Sequence, residues 1–218
     1  MAGRGSPREV GPILDPRIRA FRSGRWAPAA DPLHDTRPGR DAIGLGMSFA
    51  AEVLRLRPGA GVGLVPRAVG GTPLSRWEKG GDLYAAAVDA ARAALAAAPG
   101  SSLAGALWHQ GENDSRREED ASSYASRLDR MVADLRADLA SPGLPFVAGD
   151  LGRFLDGRPE YPCAGRVNAA LRGLPARAAA CAFVPSGGLA DKGDLLHFNA
   201  RALRAFGGRY AAAWAALR

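Results

Sequence analysis

Lysine is nearly absent from this 218-residue chain, occurring only as Lys79 and Lys192. The formal net charge of +7 therefore comes from arginine, and the arginines are scattered along the sequence. With no basic cluster and no recognition motif, the charge speaks against a nucleic-acid partner, although acidic ligands would still be attracted. Cysteine is scarce as well. Cys163 and Cys181 have no metal-ligand spacing and are too few for a disulfide framework, and Cys181 sits in an apolar run that predicts a buried free thiol. Long apolar runs are missing, which excludes a membrane-spanning helix. Residues 1–30 are rich in Arg, Pro and Gly and lack the apolar middle of a signal peptide. Internal repeats are also missing.

What is present is the composition of one ordinary globular domain over residues 1–218, with hydrophobic residues at 47%. Residues 1–41 hold many turn-formers and read as a long irregular segment. After them helices and strands alternate. AIGLGMSFAAEVLRLRPG is an amphipathic helix ending at Pro58-Gly59, and GVGLVPRAVGG is a short buried strand entering a glycine turn. Asp82 is placed to cap a helix that closes at Pro99-Gly100. LAGALWH is the next strand and QGENDS its polar turn, with a long helix over about 118–139. LPFVAGDLG and AACAFVPSGG are two further strands around the helix RVNAALRGL, and a last helix is predicted to begin near Asp194.

This alternation predicts a parallel sheet with helices on both faces, an α/β fold. In such sheets ligands bind beyond the carboxyl ends of the strands. The unusual residues fall there: Gly70-Gly71-Thr72, His109 to Asp114, Asp150, and Asp194 with His197.

An acid three residues before a histidine can hold the imidazole tautomer and leave the other nitrogen to face a nucleophile. Asp194 and His197 have that spacing, which also suits a simple helix cap. Gly70 and Gly71 permit a backbone N–H to approach a ligand closely, as an oxyanion donor must, or they merely end a strand. In WHQGEND, Gln110 or Asn113 offers an amide donor to developing negative charge, while His109, Glu112 and Asp114 support the turn. A metal bound by His109, Glu112 and Asp114 is the competing chemistry, but the spacing of a zinc protease is lacking.

VPRAVGGTPLSRW, LWHQGENDS and DLLHFNARAL, in this order, resemble the three later motif blocks of SGNH-type esterases. They are most similar to the sialate O-acetylesterase and acetylxylan esterase group, carbohydrate esterase family six. Arg67 departs from the pattern, which has a small or apolar residue there. The resemblance spans nearly the whole chain. It implies a flavodoxin-like three-layer α/β/α fold and hydrolysis of acetyl esters, on carbohydrates or other small molecules, through a Ser-His-Asp triad without cofactor or metal. It places the general base at His197, its orienting acid at Asp194, a backbone oxyanion donor at Gly70 or Gly71, and a side-chain donor at Gln110 or Asn113. A non-catalytic carbohydrate-binding or scaffold protein on the same fold is the alternative.

The family's opening block carries the nucleophilic serine at the end of the first strand. Met1-Ala2-Gly3-Arg4-Gly5 resembles only the second half of that block. The expectation is therefore that the serine and the first strand lie ahead of Met1, that Met1 sits in the cleft mouth, and that this form is inactive. Internal candidates fit less well. Ser6 follows no buried strand, Ser48 lies in a helix pattern, Ser75 begins one, and Ser186 falls just before the Asp194 segment.

Overall fold

The computed structural model describes residues 2–34 and 43–218. The segment expected to be irregular contains a hairpin. Ile18–Arg22 (β1) and Arg25–Pro28 (β2) pair antiparallel across Ser23 and Gly24, whose φ values are 48° and 76°. Two positive φ angles in a two-residue loop match the twist of paired strands. Their sequence signal is Ser-Gly between alternating apolar residues, which a count of turn-formers overlooks.

Downstream, the alternation follows the sequence reading. Helix α1 (Gly46–Leu56) leads to β3 (Val62–Leu64), α2 (Asp82–Ala96), β4 (Ala106–Trp108), α3 (Glu118–Asp138), β5 (Phe146–Gly149), α4 (Ala164–Arg177), β6 (Cys181–Val184) and α5 (Ala200–Ala215). Two boundaries differ in a way that matters. Gly81, not Asp82, holds the cap position of α2, and Asp82 pairs with Arg76 instead. The final helix starts at Ala200, where Asn199 caps it by accepting from the Ala202 N–H at 2.8 Å. Asp194 and His197 therefore stand in a turn ahead of the helix.

The strands form two three-stranded sheets, ordered β2-β1-β3 and β4-β5-β6. Apart from the β1–β2 hairpin, every pairing is parallel. Strand β5 is buried throughout, and its alternation divides the core. Phe146 and Ala148 pack with Tyr124, Leu128, Val167 and Leu171 from α3 and α4. Val147 faces the other way, toward Phe49, Leu203 and Phe206 from α1 and α5. These are the two helical layers of an α/β/α sandwich. Helices α1 and α5 approach closely at Gly207, where a Cβ would lie 2.5 Å from the Leu45 carbonyl oxygen.

Strands β3 and β4 face each other without pairing, although their carboxyl ends are tied together. Gln110 Nε2 donates to the Thr72 carbonyl at 2.9 Å, and Asn113 Nδ2 to that of Gly71 at 2.9 Å. A cavity of about 1290 Å³ runs between the strands. In the flavodoxin-like order 2-1-3-4-5, β3 to β6 occupy places 2, 3, 4 and 5, so the cavity falls at the place of strand 1.

Candidate active site

Glycine and aspartate build the turn that carries His197. Gly193 has φ +99° and Leu195 φ +53°. Asp191 Oδ2 accepts from the N–H groups of Gly193 and Leu195 at 2.7 and 2.8 Å. Asp194 Oδ1 accepts from the Leu196 and His197 N–H groups at 3.0 and 2.8 Å, and its Oδ2 lies 2.8 Å from His197 Nδ1. Burial opposes ionisation of Asp194, but the His197 backbone N–H, the imidazole and the Leu196 N–H hold its carboxyl well below the usual range. An ionised carboxylate can only accept, so Nδ1 carries the proton and Nε2 of a neutral ring keeps its lone pair. Arg158 braces the turn by donating to the carbonyls of Asp194 and Leu195 at 3.3 and 3.2 Å.

The turn after β4 divides its residues between support and exposure. Gln110 is buried, and its Nε2 donates to both the Thr72 carbonyl and Asp114 Oδ2, the latter at 2.6 Å. Its Oε1 accepts from the Tyr124 hydroxyl at 3.0 Å. Both amide hydrogens are spent inside the protein, so Gln110 has none left for an oxyanion. Asn113 is partly exposed at the cavity and spends one hydrogen on the Gly71 carbonyl, which leaves the other. Asp114 is fully buried and accepts from the Leu74 N–H at 3.0 Å. His109 is also buried, with Phe198 and Phe206 edge-on to its ring at centroid distances of 5.7 and 5.4 Å. Burial depresses its basicity, so the ring is neutral, and its Nε2 stands 3.7 Å from Glu112 Oε1. It therefore backs the residue that follows His197.

At the third turn, Gly71 has φ +75°, a conformation that favours glycine. Neither the Gly70 nor the Gly71 N–H has a hydrogen-bond partner among the described residues. Gly3, at φ +79°, and Gly5 hold the first residues close to this rim. A Cβ on Gly5 would come 2.7 Å from Ala200 Cα, and Gly5 exchanges hydrogen bonds with Ile43 at 3.3 and 3.0 Å. Glu9 Oε2 adds a bond to the Ala200 N–H at 3.2 Å, fastening this segment to the start of α5.

Gly70, Gly71, Gln110, Glu112, Asn113 and His197 all border the same cavity, as do Ala2, Gly3 and Arg4. The expected place of Met1 lies outside the described residues. Asp150 does not border the cavity; it is buried, with Ser186 Oγ 3.4 Å from its Oδ2. That hydroxyl also donates to the Leu151 carbonyl at 2.8 Å, and Ser48 donates to the Leu45 carbonyl at 3.1 Å, so both serines are engaged away from His197. Among the described residues no group of acids, histidines and cysteines is arranged to hold a metal. Sequence reasoning missed Arg116 and Tyr161 at the rim. The guanidinium stacks 4.9 Å above the Tyr161 ring and donates to its hydroxyl at 3.1 Å. Their 45-residue separation leaves no local signal.

This geometry has relatives. Residues 1–216 match the family model for the carbohydrate esterases described as sialic acid-specific acetylesterases. A protein of Arabidopsis thaliana named a probable carbohydrate esterase is 36% identical over 192 residues, covering 85% of this chain and 69% of its own length. The solved structure of an Arabidopsis thaliana protein superposes with a TM-score of 0.86 at 31% identity, over 99% of this chain and 93% of that one. The crystal structure of NanS has a TM-score of 0.75 at 21% identity, over 99% and 92% of the two chains, and so shares the fold. Match to the family model over almost its full length, together with the Arabidopsis relative, shows that the chain belongs to the carbohydrate esterase family of sialic acid-specific acetylesterases.

Proposed function

We propose that the protein's reaction is hydrolysis of O-acetyl esters on carbohydrates by a serine mechanism, with Asp194 and His197 as the acid–base pair. The observation that carries this reading is the 2.8 Å contact between Asp194 Oδ2 and His197 Nδ1 beside the cavity bordered by Gly70, Gly71 and Asn113. His197 Nε2 takes the proton of a serine hydroxyl as the oxygen attacks the acetyl carbonyl. The tetrahedral oxyanion then accepts from a backbone N–H at Gly70 or Gly71 and from the second amide hydrogen of Asn113. Collapse expels the sugar hydroxyl, protonated by His197. A water activated by the same nitrogen then releases acetate and restores the serine. Gln110 and Asp114 act as positioning residues for the turn. The nucleophile in this reading is a serine ahead of Met1, implied by the half-match of Met1 to Gly5 with the family's opening block.

The test uses two forms, the 218-residue chain and the same chain extended by the in-frame upstream codons. The extended form should release acetate from a generic acetyl ester and from acetylated sugars, and the short form should not. His197→Ala should abolish the activity. Turnover that survives His197→Ala overturns the mechanism, and turnover by the short form that Ser6→Ala removes assigns the nucleophile to Ser6.

A further inference from the structure

One of the chain's two lysines stands beside the acid–base pair. Lys192 Nζ lies 3.4 Å from Asp194 Oδ2, the same oxygen that sits 2.8 Å from His197 Nδ1. An ammonium and an imidazolium that share one oxygen at these distances are closer to each other than the ~8 Å Debye length of physiological salt. The backbone fixes this arrangement. Lys192 N–H donates to the His197 carbonyl at 2.9 Å, Asn199 N–H donates to the Ala190 carbonyl at 3.1 Å, and Asp191 and Phe198 form an antiparallel bridge between them. Lys192 is therefore held on the limb of the turn opposite His197, and its side chain reaches across to the carboxylate.

The charges act on the imidazole in opposite directions. A carboxylate at Nδ1 favours the imidazolium, and an ammonium at the same carboxylate oxygen opposes it. A general base must be neutral to take a proton, because the imidazolium has no lone pair at Nε2. Other charged groups surround the pair. Asp191, on the same turn, spends Oδ2 on the Gly193 and Leu195 N–H groups. Arg158, ahead of α4, donates to the turn's carbonyls and pairs with Glu160 at 2.9 Å. Glu112 and Arg116 from the turn after β4, and Arg4 from the first residues, border the same cavity as His197. Among the described residues, Lys192 is the one lysine or arginine in ion-pair contact with the Asp194 carboxylate.

We infer that Lys192 is a positioning residue of the acid–base pair: through the Asp194 oxygen that it shares with His197, its ammonium keeps the imidazole neutral, and so able to accept a proton, at a lower pH than Asp194 alone would allow. The inference rests on the assignment of Asp194 and His197 as that pair. Lys192 acts through Asp194 and touches no reacting atom. The side chains of Lys192, Asp194 and His197 are 37, 36 and 40% exposed, so solvent screens the group and the effect has the size of an exposed ion pair.

The test follows the Cε1 proton of the His197 ring by NMR in the 218-residue chain across pH. Burial pushes His34 down to about 3 and depresses His109, so neither of the other two histidines obscures the signal. Lys192→Met keeps the aliphatic stem and deletes the charge, and should move the midpoint up by about 0.2–0.7 pH unit. Lys192→Glu should move it further in the same direction, and Lys192→Arg should leave it in place. Salt at about 1 M should at least halve the difference between Lys192→Met and the parent chain. In the serine-bearing extended form the acid limb of kcat/KM should follow by the same amount, about 1.5–5-fold in rate at a fixed pH on that limb, with the alkaline plateau unchanged. A merely structural role would lower the plateau and leave the midpoint alone. Lys192→Gln is the second neutral variant, for use if Lys192→Met does not fold. An unmoved or lowered midpoint in the neutral variants, an equal shift in Lys192→Arg, or a shift that persists undiminished at high salt would overturn the inference. Absence of turnover in the extended form alongside the expected NMR shifts would count against the esterase reading instead and leave the charge linkage established.

Discussion

Replacing Asp114 with alanine removes the acceptor that joins the glycine turn to the turn after β4. The carboxylate is fully buried and accepts from the Leu74 N–H, at 3.1 and 3.0 Å to its two oxygens, and from Gln110 Nε2 at 2.6 Å. Arg127 Nη1 stands 3.9 Å away and has Glu78 as its nearer partner, so its loss counts for little. Asp114→Ala therefore leaves two buried donors without partners, at about 1–3 kcal/mol each, or about 2–6 kcal/mol together. Against a total stability of about 5–15 kcal/mol this is a severe loss. For a domain of this size it lowers Tm by about 4–24 °C. Asp114→Asn keeps one oxygen for Leu74 but sets an NH₂ against that of Gln110, so about half the loss is expected. Burial raises the Asp114 pKa above the ordinary 3.8, so the folded chain holds that proton more tightly than the unfolded chain. This contribution to stability is present at acid pH and is lost as pH rises from 3.8 through the raised folded value; the alanine variant lacks that part of the slope. Thermal and urea unfolding across pH read both effects. A loss under about 0.5 kcal/mol would refute the reasoning, because it would mean that the two donors find water or new partners.

Gly207→Ala should destabilise the fold by about 1–3 kcal/mol, because its Cβ meets Ser48 Oγ and the Leu45 carbonyl and forces α1 away from α5; urea unfolding checks it, and an unchanged midpoint would deny the close approach. Asp194→Asn should leave most of the turn in place but lower kcat of the serine-bearing form by about 10³–10⁴, since an amide can favour the wrong imidazole tautomer. Steady-state rates on an acetyl ester decide this, and a loss below about tenfold would mean that Asp194 only shapes the turn.

Local chemistry made most of the architecture legible in the sequence. Periodicity marked the α2 and α3 helices and the apolar runs of β5 and β6, because burial on one stripe or on two faces leaves its spacing in the residues themselves. The hairpin Ile18–Pro28 escaped because arginines alternate with its apolar residues and turn-formers surround it. The Asp194–His197 spacing was visible, but its setting was not. A helix was expected, whereas Asp191, Gly193 and Leu195 form a turn whose bonds bring Nδ1 to the carboxylate.

The sequence by itself determined the order of helices and strands from α1 onward, the side chains available at the carboxyl ends of the strands, and the spacing of an acid from a histidine three residues on. Each is local, set by hydrogen bonding and burial within a few residues. Tertiary structure showed how the two amides differ, since Gln110 spends both of its amide hydrogens on Thr72 and Asp114 while Asn113 spends one on Gly71. It also brought Arg116 over Tyr161 at the rim of the cavity. Those outcomes depend on contacts between distant residues, of which a one-dimensional pattern carries no record.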